Sequence, residues 1–161
     1  MSVEVTISPE AEKILTERGI PADKVKEVVS HAEATGEKIC IGNRCIGKKT
    51  IDEVTFYAQY TVADGKATVE SAWMHRMKIL KPVAVYSEDL VVAGEPRDIS
   101  DWVCGKCNEK MLRANVDMEY LGIVRAAPAL YCQKCGLIII EEYSAIGPIA
   151  TAEGLFEKKR A

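Results

Sequence analysis

The sequence predicts an α+β fold in which two N-terminal helices pack on an antiparallel sheet, followed by a small cysteine-rich unit with a C-terminal helix. Three observations predict this fold: apolar residues at helical spacing near the N-terminus, two hairpin signals after them, and paired cysteines in the C-terminal part. With 161 residues, of which 48% are hydrophobic, the chain is long enough for one ordinary domain or two small ones. We place an α+β domain with its linker at residues 1–94 and the cysteine-rich unit at residues 95–161.

The two helices have clear start and stop signals. The first is predicted to begin at Ser8, whose hydroxyl can cap free backbone N–H groups, and to end at Gly19. The second is predicted to begin at Pro21 and to end at Gly36, which suits a left-handed cap. The apolar residues that recur at helical spacing in the second helix, and that we expect to be buried, are Val25, Val28, Val29 and Ala32.

The first predicted hairpin carries two cysteines. Gly42–Asn43 tolerates positive φ and predicts a tight turn that places Cys40 opposite Cys45. In a two-residue hairpin this pair has a Cα separation of about 4.5 Å, which is short for a disulfide. In the reducing cytosol a pair of free thiols is the preferred interpretation. A reversible thiol switch and a half-site completed by a partner protein are the alternatives.

The second predicted hairpin turns at Asp64–Gly65. Counting residues on both sides of that turn pairs Tyr60 with Val69 and Phe56 with Trp73. All four side chains would then share one face of the sheet and form its core.

Prolines and glycines interrupt the region that follows. Pro82, Gly94 and Pro96 favour a break between domains near Gly94 to Ser100. Beyond it, the sequence predicts short strands around the paired cysteines and a last helix that begins at Gly147–Pro148.

Two Cys-x-x-Cys pairs are the strongest chemical signal in the chain. A two-residue spacer lets both thiolates of a pair bind one ion, while backbone N–H groups of the turn donate to the sulfurs. Gly136 accommodates the positive φ that such a turn needs. Zinc is the preferred metal, and iron, in a rubredoxin-like site or an iron–sulfur cluster, is the alternative. The predicted ligands are Cys104, Cys107, Cys132 and Cys135.

Charge and motif content disfavour several functions. Residues 1–85 hold 12 basic and 12 acidic side chains, and residues 86–161 hold 9 and 12, so neither part has the basic excess that favours nucleic acid as a partner. No apolar run approaches a membrane span and the N-terminus lacks a signal sequence, which indicates a cytosolic protein. Motifs for phosphate binding or hydrolysis are missing, and no catalytic residue is assigned. A surface or interface role is preferred for His75–Arg76 over an acid–base pair.

The N-terminal part resembles a known toxin superfamily. Arg18–Gly19–Ile20, placed before Asp23-x-Val25-x-Glu27–Val28, is similar to the helix pair of the RelE and BrnT toxins, and the resemblance covers residues 8–78. It implies a curled antiparallel sheet after the helices. Toxins of this kind cleave RNA with a basic surface. Because this domain is charge-neutral and only His75–Arg76 matches in kind, we expect a non-toxic relative.

The C-terminal part resembles a zinc ribbon from Trp102 to Ile140, through all four cysteines. Together the two parts are similar to small accessory proteins of redox enzymes in anaerobic bacteria. This resemblance implies a non-catalytic scaffold subunit that docks on a protein partner, such as an oxidoreductase complex. The apolar run Leu137–Ile140 and the strand Ala126–Tyr131 are the expected docking surface. A nucleic-acid-binding or regulatory ribbon and a small rubredoxin-like electron carrier are the alternatives.

Overall fold

A computed structural model describes residues 3–82 and 99–160 of the chain. The strands in these ranges are β1 (Glu4–Ile7), β2 (Lys38–Ile41), β3 (Arg44–Ile51), β4 (Val54–Ala63), β5 (Lys66–His75), β6 (Lys78–Pro82), β7 (Ile99–Cys104), β8 (Lys110–Tyr120), β9 (Ile123–Tyr131) and β10 (Ile138–Ile139). The helices are α1 (Pro9–Arg18), α2 (Ala22–Thr35), α3 (Glu142–Ser144) and α4 (Ala150–Arg160), with a π-helical segment (Ala145–Ile149) between the last two.

The described strands form one mixed sheet. Their order is β1-β5-β4-β3-β2-β7-β8-β9-β10, with β6 paired to β8. The strand β1, which the sequence analysis missed, runs parallel to β5, and the other pairs are antiparallel. The predicted mixture of helices and sheet is confirmed. The predicted arrangement, two helices on a separate N-terminal antiparallel sheet before a small ribbon, is wrong, because the pairing of β2 with β7 continues the sheet into the cysteine-bearing strands. The predicted boundary between residues 94 and 95 lies outside the described residues.

The first two helices begin and end where the sequence predicts. The Ala11 backbone N–H donates to Ser8 Oγ at 3.1 Å, and Gly19 ends α1 with a φ of 66°. Gly36 ends α2 with a φ of 81°. Side chains of both helices join one buried cluster with β3, β4 and β5, which we call the helix-side core: Ala11, Leu15, Ile20, Val25, Val28, Val29, Ala32, Cys45, Phe56, Ala58, Tyr60, Ala67, Val69 and Ala72.

A second buried cluster lies on the other face of the sheet. Adjacent residues of a strand point to opposite faces, so Phe56 belongs to the helix-side core and Tyr57 to this second cluster, the opposite core. Its members come mainly from the C-terminal part: Ile39, Ile46, Tyr57, Trp73, Met77, Cys104, Met111, Val116, Met118, Ala127, Ala129, Leu130, Cys132, Ile138, Ile139, Ile140, Ala145, Ile149 and Phe156.

A β-bulge decides which residues of β5 face the opposite core. Tyr60 lies opposite Val69, as predicted, but Trp73 lies opposite Tyr57 and the predicted pair with Phe56 is wrong. The register shifts next to Tyr60, where β5 contains one extra residue. One extra residue turns every later side chain of a strand to the other face, so Trp73 points away from the helices.

Trp73 connects β5 to the C-terminal part of the chain. Its indole Nε1–H donates to the carbonyl oxygen of Ile140 at 2.7 Å, and its ring stacks on Tyr57 with a centroid separation of 5.8 Å. The expected docking surface is therefore wrong for the run Leu137–Ile140, since Ile139 and Ile140 are fully buried beside Trp73. The apolar run closes the opposite core and leaves little surface for a partner.

The last helical region begins earlier than predicted. It starts at Glu142, and Pro148 lies inside the π-helical segment, so the predicted start at Gly147–Pro148 is wrong.

Two carboxylates of this region bind the N-terminal part. Glu142 accepts hydrogen bonds from Arg18 and Ser71, both at 2.6 Å, and the buried Glu153 accepts from the Met77 backbone N–H at 2.8 Å.

His75 is buried, so the surface part of the role preferred for His75–Arg76 is wrong for His75, whereas the Arg76 side chain is exposed and the interface role stays a prediction. Only 1% of His75 is exposed, and its ring nitrogens lie 2.9 Å from Tyr57 Oη and 2.8 Å from the carbonyl oxygen of Met77. Burial lowers the pKa of His75 to about 4, and the positive charge of Lys48 acts in the same direction. The folded chain therefore holds a neutral imidazole at this position.

His75 makes folding stability depend on pH in a defined window. The unfolded imidazole binds a proton below pH 6.5, whereas the folded one binds it only near pH 4, so stability contributed at neutral pH is lost as the pH falls through this range. Between pH 6.5 and pH 5 we expect this residue to account for a loss of about 2 kcal/mol in unfolding free energy. Urea unfolding at several pH values measures the loss.

The variant His75→Gln should show a shallower fall in stability over the same range. The matched control His31→Gln keeps His75 and therefore keeps its share of the loss. Identical pH dependence in wild type and His75→Gln would contradict the assignment.

Candidate metal centre

The four predicted cysteines lie in two turns at one end of a long hairpin. Cys104 ends β7 and Cys107 lies in the turn before β8, while Cys132 follows β9 and Cys135 precedes β10. The strands predicted to be short are instead 11 residues (β8) and 9 residues (β9) long, and β9 pairs along its whole length with β8 from Leu112 onward. Because the start of β8 lies beside the end of β9, the two turns meet.

The sulfur atoms form a compact cluster. All four lie within 4.8 Å of one another, and Cys104 Sγ is 3.6 Å from Cys135 Sγ. Cys104 and Cys132 are buried, Cys107 is half-buried and Cys135 is exposed. The four cysteines predicted from the sequence therefore lie close enough to bind a metal ion. Their role as ligands stays a prediction.

The two turns have the same backbone hydrogen bonds. In each turn the backbone N–H of the first cysteine donates to the carbonyl oxygen of the fifth residue after it. Cys104 donates to Glu109 at 2.8 Å, and Cys132 donates to Leu137 at 2.9 Å. The carbonyl oxygens of the same two cysteines accept from the backbone N–H of the fourth residue after each cysteine, at 3.0 Å and 2.9 Å. The site is thus a repeated local structure, which follows from the repeated spacing of the cysteines.

One residue of each turn has a left-handed backbone. Gly136 has a φ of 85°, as the sequence predicts, and Asn108 takes the same position in the first turn with a φ of 56°. Asn108 was not among the residues predicted for the site. Asparagine tolerates this conformation better than other residues with a side chain, so its place after the second cysteine was the available signal.

Electrostatics favour a cation at the cluster. Burial raises the pKa of the Cys104 thiol, and burial together with the neighbouring sulfurs raises that of Cys107 to about 12. Burial acts in the same sense on Cys132, but hydrogen bonds from the backbone N–H groups of Cys135 and Lys134 and from the Cys135 and Cys104 side chains together lower the pKa of that thiol. Several adjacent thiolates repel one another, and a bound metal ion would supply the positive charge that stabilises them.

The first turn packs directly on the N-terminal part of the chain. Ile39 of β2 lies opposite Cys104, and the Gly105 N–H donates to the carbonyl oxygen of Lys38 at 2.8 Å. A Cβ atom on Gly105 would lie 2.8 Å from the carbonyl oxygen of Gly36, which is closer than real contacts allow. The missing side chain of Gly105 therefore lets the two backbones approach.

Cys40 and Cys45 lie opposite each other across the first hairpin, as predicted. They form a disulfide with a Cα separation of 4.2 Å, so the reduced pair preferred from the sequence is wrong for this structure. Cys40 also pairs with Val103, the residue before Cys104. The disulfide thus belongs to the strand that supports the first cysteine turn.

Comparison with protein families gives a match in the C-terminal part of the chain. A family model described as a domain of unknown function (DUF7479) matches residues 100–159, which include all four cysteines of the cluster. Neither the curated proteins nor the solved structures contain a match to the chain. The resemblances to RelE and BrnT toxins and to zinc ribbons stay predictions. Among the helices in the described ranges, none combines the length and apolar character needed to cross a membrane.

The contact at Gly105 can be tested with two alanine substitutions. Gly105→Ala places a methyl group against backbone atoms, so we expect it to destabilise the chain by about 1–3 kcal/mol and to weaken metal binding. Gly154→Ala adds the same methyl group inside α4, where no heavy atom outside the helix backbone lies within 4 Å, and should leave stability unchanged or higher. Chemical unfolding of both variants measures the difference, and equal stabilities would contradict the close contact.

Proposed function

We propose that the chain is a non-catalytic accessory subunit that docks on a larger enzyme complex, and that a structural zinc ion fixes its shape. The observation that carries the metal part is the approach of four sulfurs to within 4.8 Å of one another. Zinc bound by four thiolates has no open position for water or substrate, so it stabilises structure instead of performing chemistry. The proposed ligands are Cys104, Cys107, Cys132 and Cys135.

One observation favours the alternative of a small rubredoxin-like electron carrier. Cys135 is exposed, which would give an electron-transfer partner access to an iron ion at the cluster. Zinc is preferred because it is the usual metal of four-thiolate sites that build a fold. Metal analysis and the visible spectrum of the protein as isolated separate the two, since iron–thiolate sites absorb visible light and zinc does not.

Removing one thiolate tests the site. Cys107→Ser is expected to lose most of its zinc during dialysis against a weak chelator and to melt at a lower temperature, because structural zinc contributes on the order of 10 kcal/mol. In the matched control, Cys40 and Cys45 are both changed to Ser, which leaves the four clustered cysteines intact and should retain zinc. Full zinc content and unchanged melting in Cys107→Ser would contradict a four-thiolate site.

The docking part of the proposal is supported by the surface of residues 142–160, the C-terminal helical segment. Tyr143, Ile146 and Leu155 are 56%, 47% and 54% exposed. Nearby carboxylates already have partners within the chain: Glu142 with Arg18, Glu141 with Arg113, and Glu157 with Arg76. This surface therefore presents apolar side chains beside charges that are already paired, which suits an apolar patch on a protein subunit better than a charged partner.

A matched pair of substitutions tests this surface. Ile146→Glu places a charge on the helical segment, and Ile41→Glu places one on a side chain of similar exposure, 44%, at the first hairpin. Purification of the tagged chain from its native source, followed by mass spectrometry, should recover a partner with wild type and Ile41→Glu and not with Ile146→Glu. With the partner in hand, affinity should fall at least about tenfold for Ile146→Glu alone, or about 1.4 kcal/mol.

Zinc content should be the same in both variants, because neither Ile146 nor Ile41 is one of the four clustered cysteines. A partner that binds wild type and Ile146→Glu equally would contradict docking through the helical segment.

A further inference from the structure

A cleft of about 960 Å³ lies on the sheet face opposite α1 and α2, and none of the four clustered cysteines lines it. Its floor is formed by Lys48 and Thr50 of β3 and Thr55 of β4. Lys48 lies opposite Tyr57 in the pairing of β3 with β4, which places it on the face of the opposite core. Met77 forms part of the wall.

Lys48 brings an unusual charge to this floor. Its Nζ donates to the carbonyl oxygen of Ile138 at 2.8 Å, and among the described residues no carboxylate lies within ion-pair distance of it. Burial lowers its pKa to about 8. The adjacent Lys49 points to the other face and pairs with Glu27 at 2.8 Å. The negative charge of Glu37 acts against this lowering, but Glu37 is paired with His31 and Lys106. Within the described residues this ammonium therefore lacks the paired counter-charge that buried cations normally have.

The other charges of the cleft limit the ligand to a single negative charge. Arg76 lines the cleft, but its guanidinium already binds Glu157 at 2.8 Å and lies 3.5 Å from Glu153. Lys78 also lines the cleft, but it is exposed to water and lies opposite Glu119 in the pairing of β6 with β8. Among the described cations of the cleft, Lys48 is therefore the one held against the floor without a carboxylate partner. Three carboxylates also line the cleft and would repel a phosphate dianion: Asp52, Glu53 and Glu119.

Polar and apolar groups of the cleft indicate the rest of the ligand. Thr50 Oγ1 and Thr55 Oγ1 are 3.0 Å apart, so one hydroxyl donates to the other and the second hydroxyl keeps a hydrogen to donate elsewhere. The remaining lining is largely aliphatic and includes Ile79, Leu80 and Ile138. A single acidic group beside Lys48 with a hydrocarbon chain along these side chains satisfies both parts of the lining.

We propose that this cleft binds an aliphatic monocarboxylate, whose carboxylate group accepts hydrogen bonds from Lys48 Nζ and from the threonine hydroxyl beside it. The ammonium then gains a paired counter-charge that no carboxylate among the described residues provides. This ligand site is separate from the cysteine cluster and from the C-terminal helical segment, so it depends on neither part of the proposed function.

Octanoate is the probe, measured by calorimetry on the full-length, metal-saturated chain. Wild type should bind octanoate at one saturable site, and Lys48→Gln should bind it at least about tenfold more weakly. Glutamine removes the charge and keeps an N–H donor on a side chain of similar shape. Lys49→Gln removes the same charge from the neighbouring residue on the other face and should bind octanoate like wild type.

Two measurements on wild type support the test if Lys48→Gln does not fold. Octanamide has the same chain without the charge and should bind at least about tenfold more weakly than octanoate. Octanoate affinity should also fall as the pH rises through 8, because Lys48 then loses its proton. Absence of saturable octanoate binding, equal binding of octanoate and octanamide, or equal octanoate binding by wild type and a folded Lys48→Gln would each overturn the proposal.

Discussion

The position of the cysteine cluster depends on the pairing of β2 with β7. This pairing places Ile39 opposite Cys104 and lets the Gly105 N–H donate to the carbonyl oxygen of Lys38. The first cysteine turn is therefore fixed by the N-terminal strands, and the second reaches it through the β8–β9 hairpin. Since β2 also carries one half of the disulfide, the two groups of cysteines are supported by adjacent strands of one sheet. A metal ion at the cluster would hold together parts of the chain that are distant in sequence. Its binding free energy would then contribute to folding.

The C-terminal part also completes the core of the N-terminal strands. One face of these strands is covered by α1 and α2, and the other would expose large side chains if the chain ended after β5. The run that ends at Ile140 covers that face and accepts the hydrogen bond of Trp73, while Glu153 binds the backbone N–H groups of Arg76 and Met77. Buried polar groups of the two parts thus form hydrogen bonds with each other. The apolar C-terminal residues can therefore be buried inside the chain without leaving these polar groups unpaired.

The surroundings of a charged residue depend on the face of the strand from which it projects. Lys48 and Lys49 are adjacent in sequence, and alternation along β3 places them on opposite sides of the sheet. Lys49 forms an ion pair with Glu27 of α2, whereas Lys48 lies under a cleft with a backbone carbonyl as its acceptor. Both residues are lysines, so the amino-acid composition does not distinguish them. Their surroundings make one a stabilising surface contact and the other a candidate ligand group.

The sequence by itself determined the local features of this protein. The cap at Ser8, the stop at Gly19 and the spacing of the cysteine pairs act over a few residues, so their outcome can be predicted from residue type and order. Only the tertiary structure decided the face of Trp73 and the burial of His75, because a single extra residue in β5 and the return of the C-terminal chain set both. The joining of the two halves into one sheet has the same origin. Pairing between distant strands depends on which apolar faces meet, and no local pattern encodes that choice.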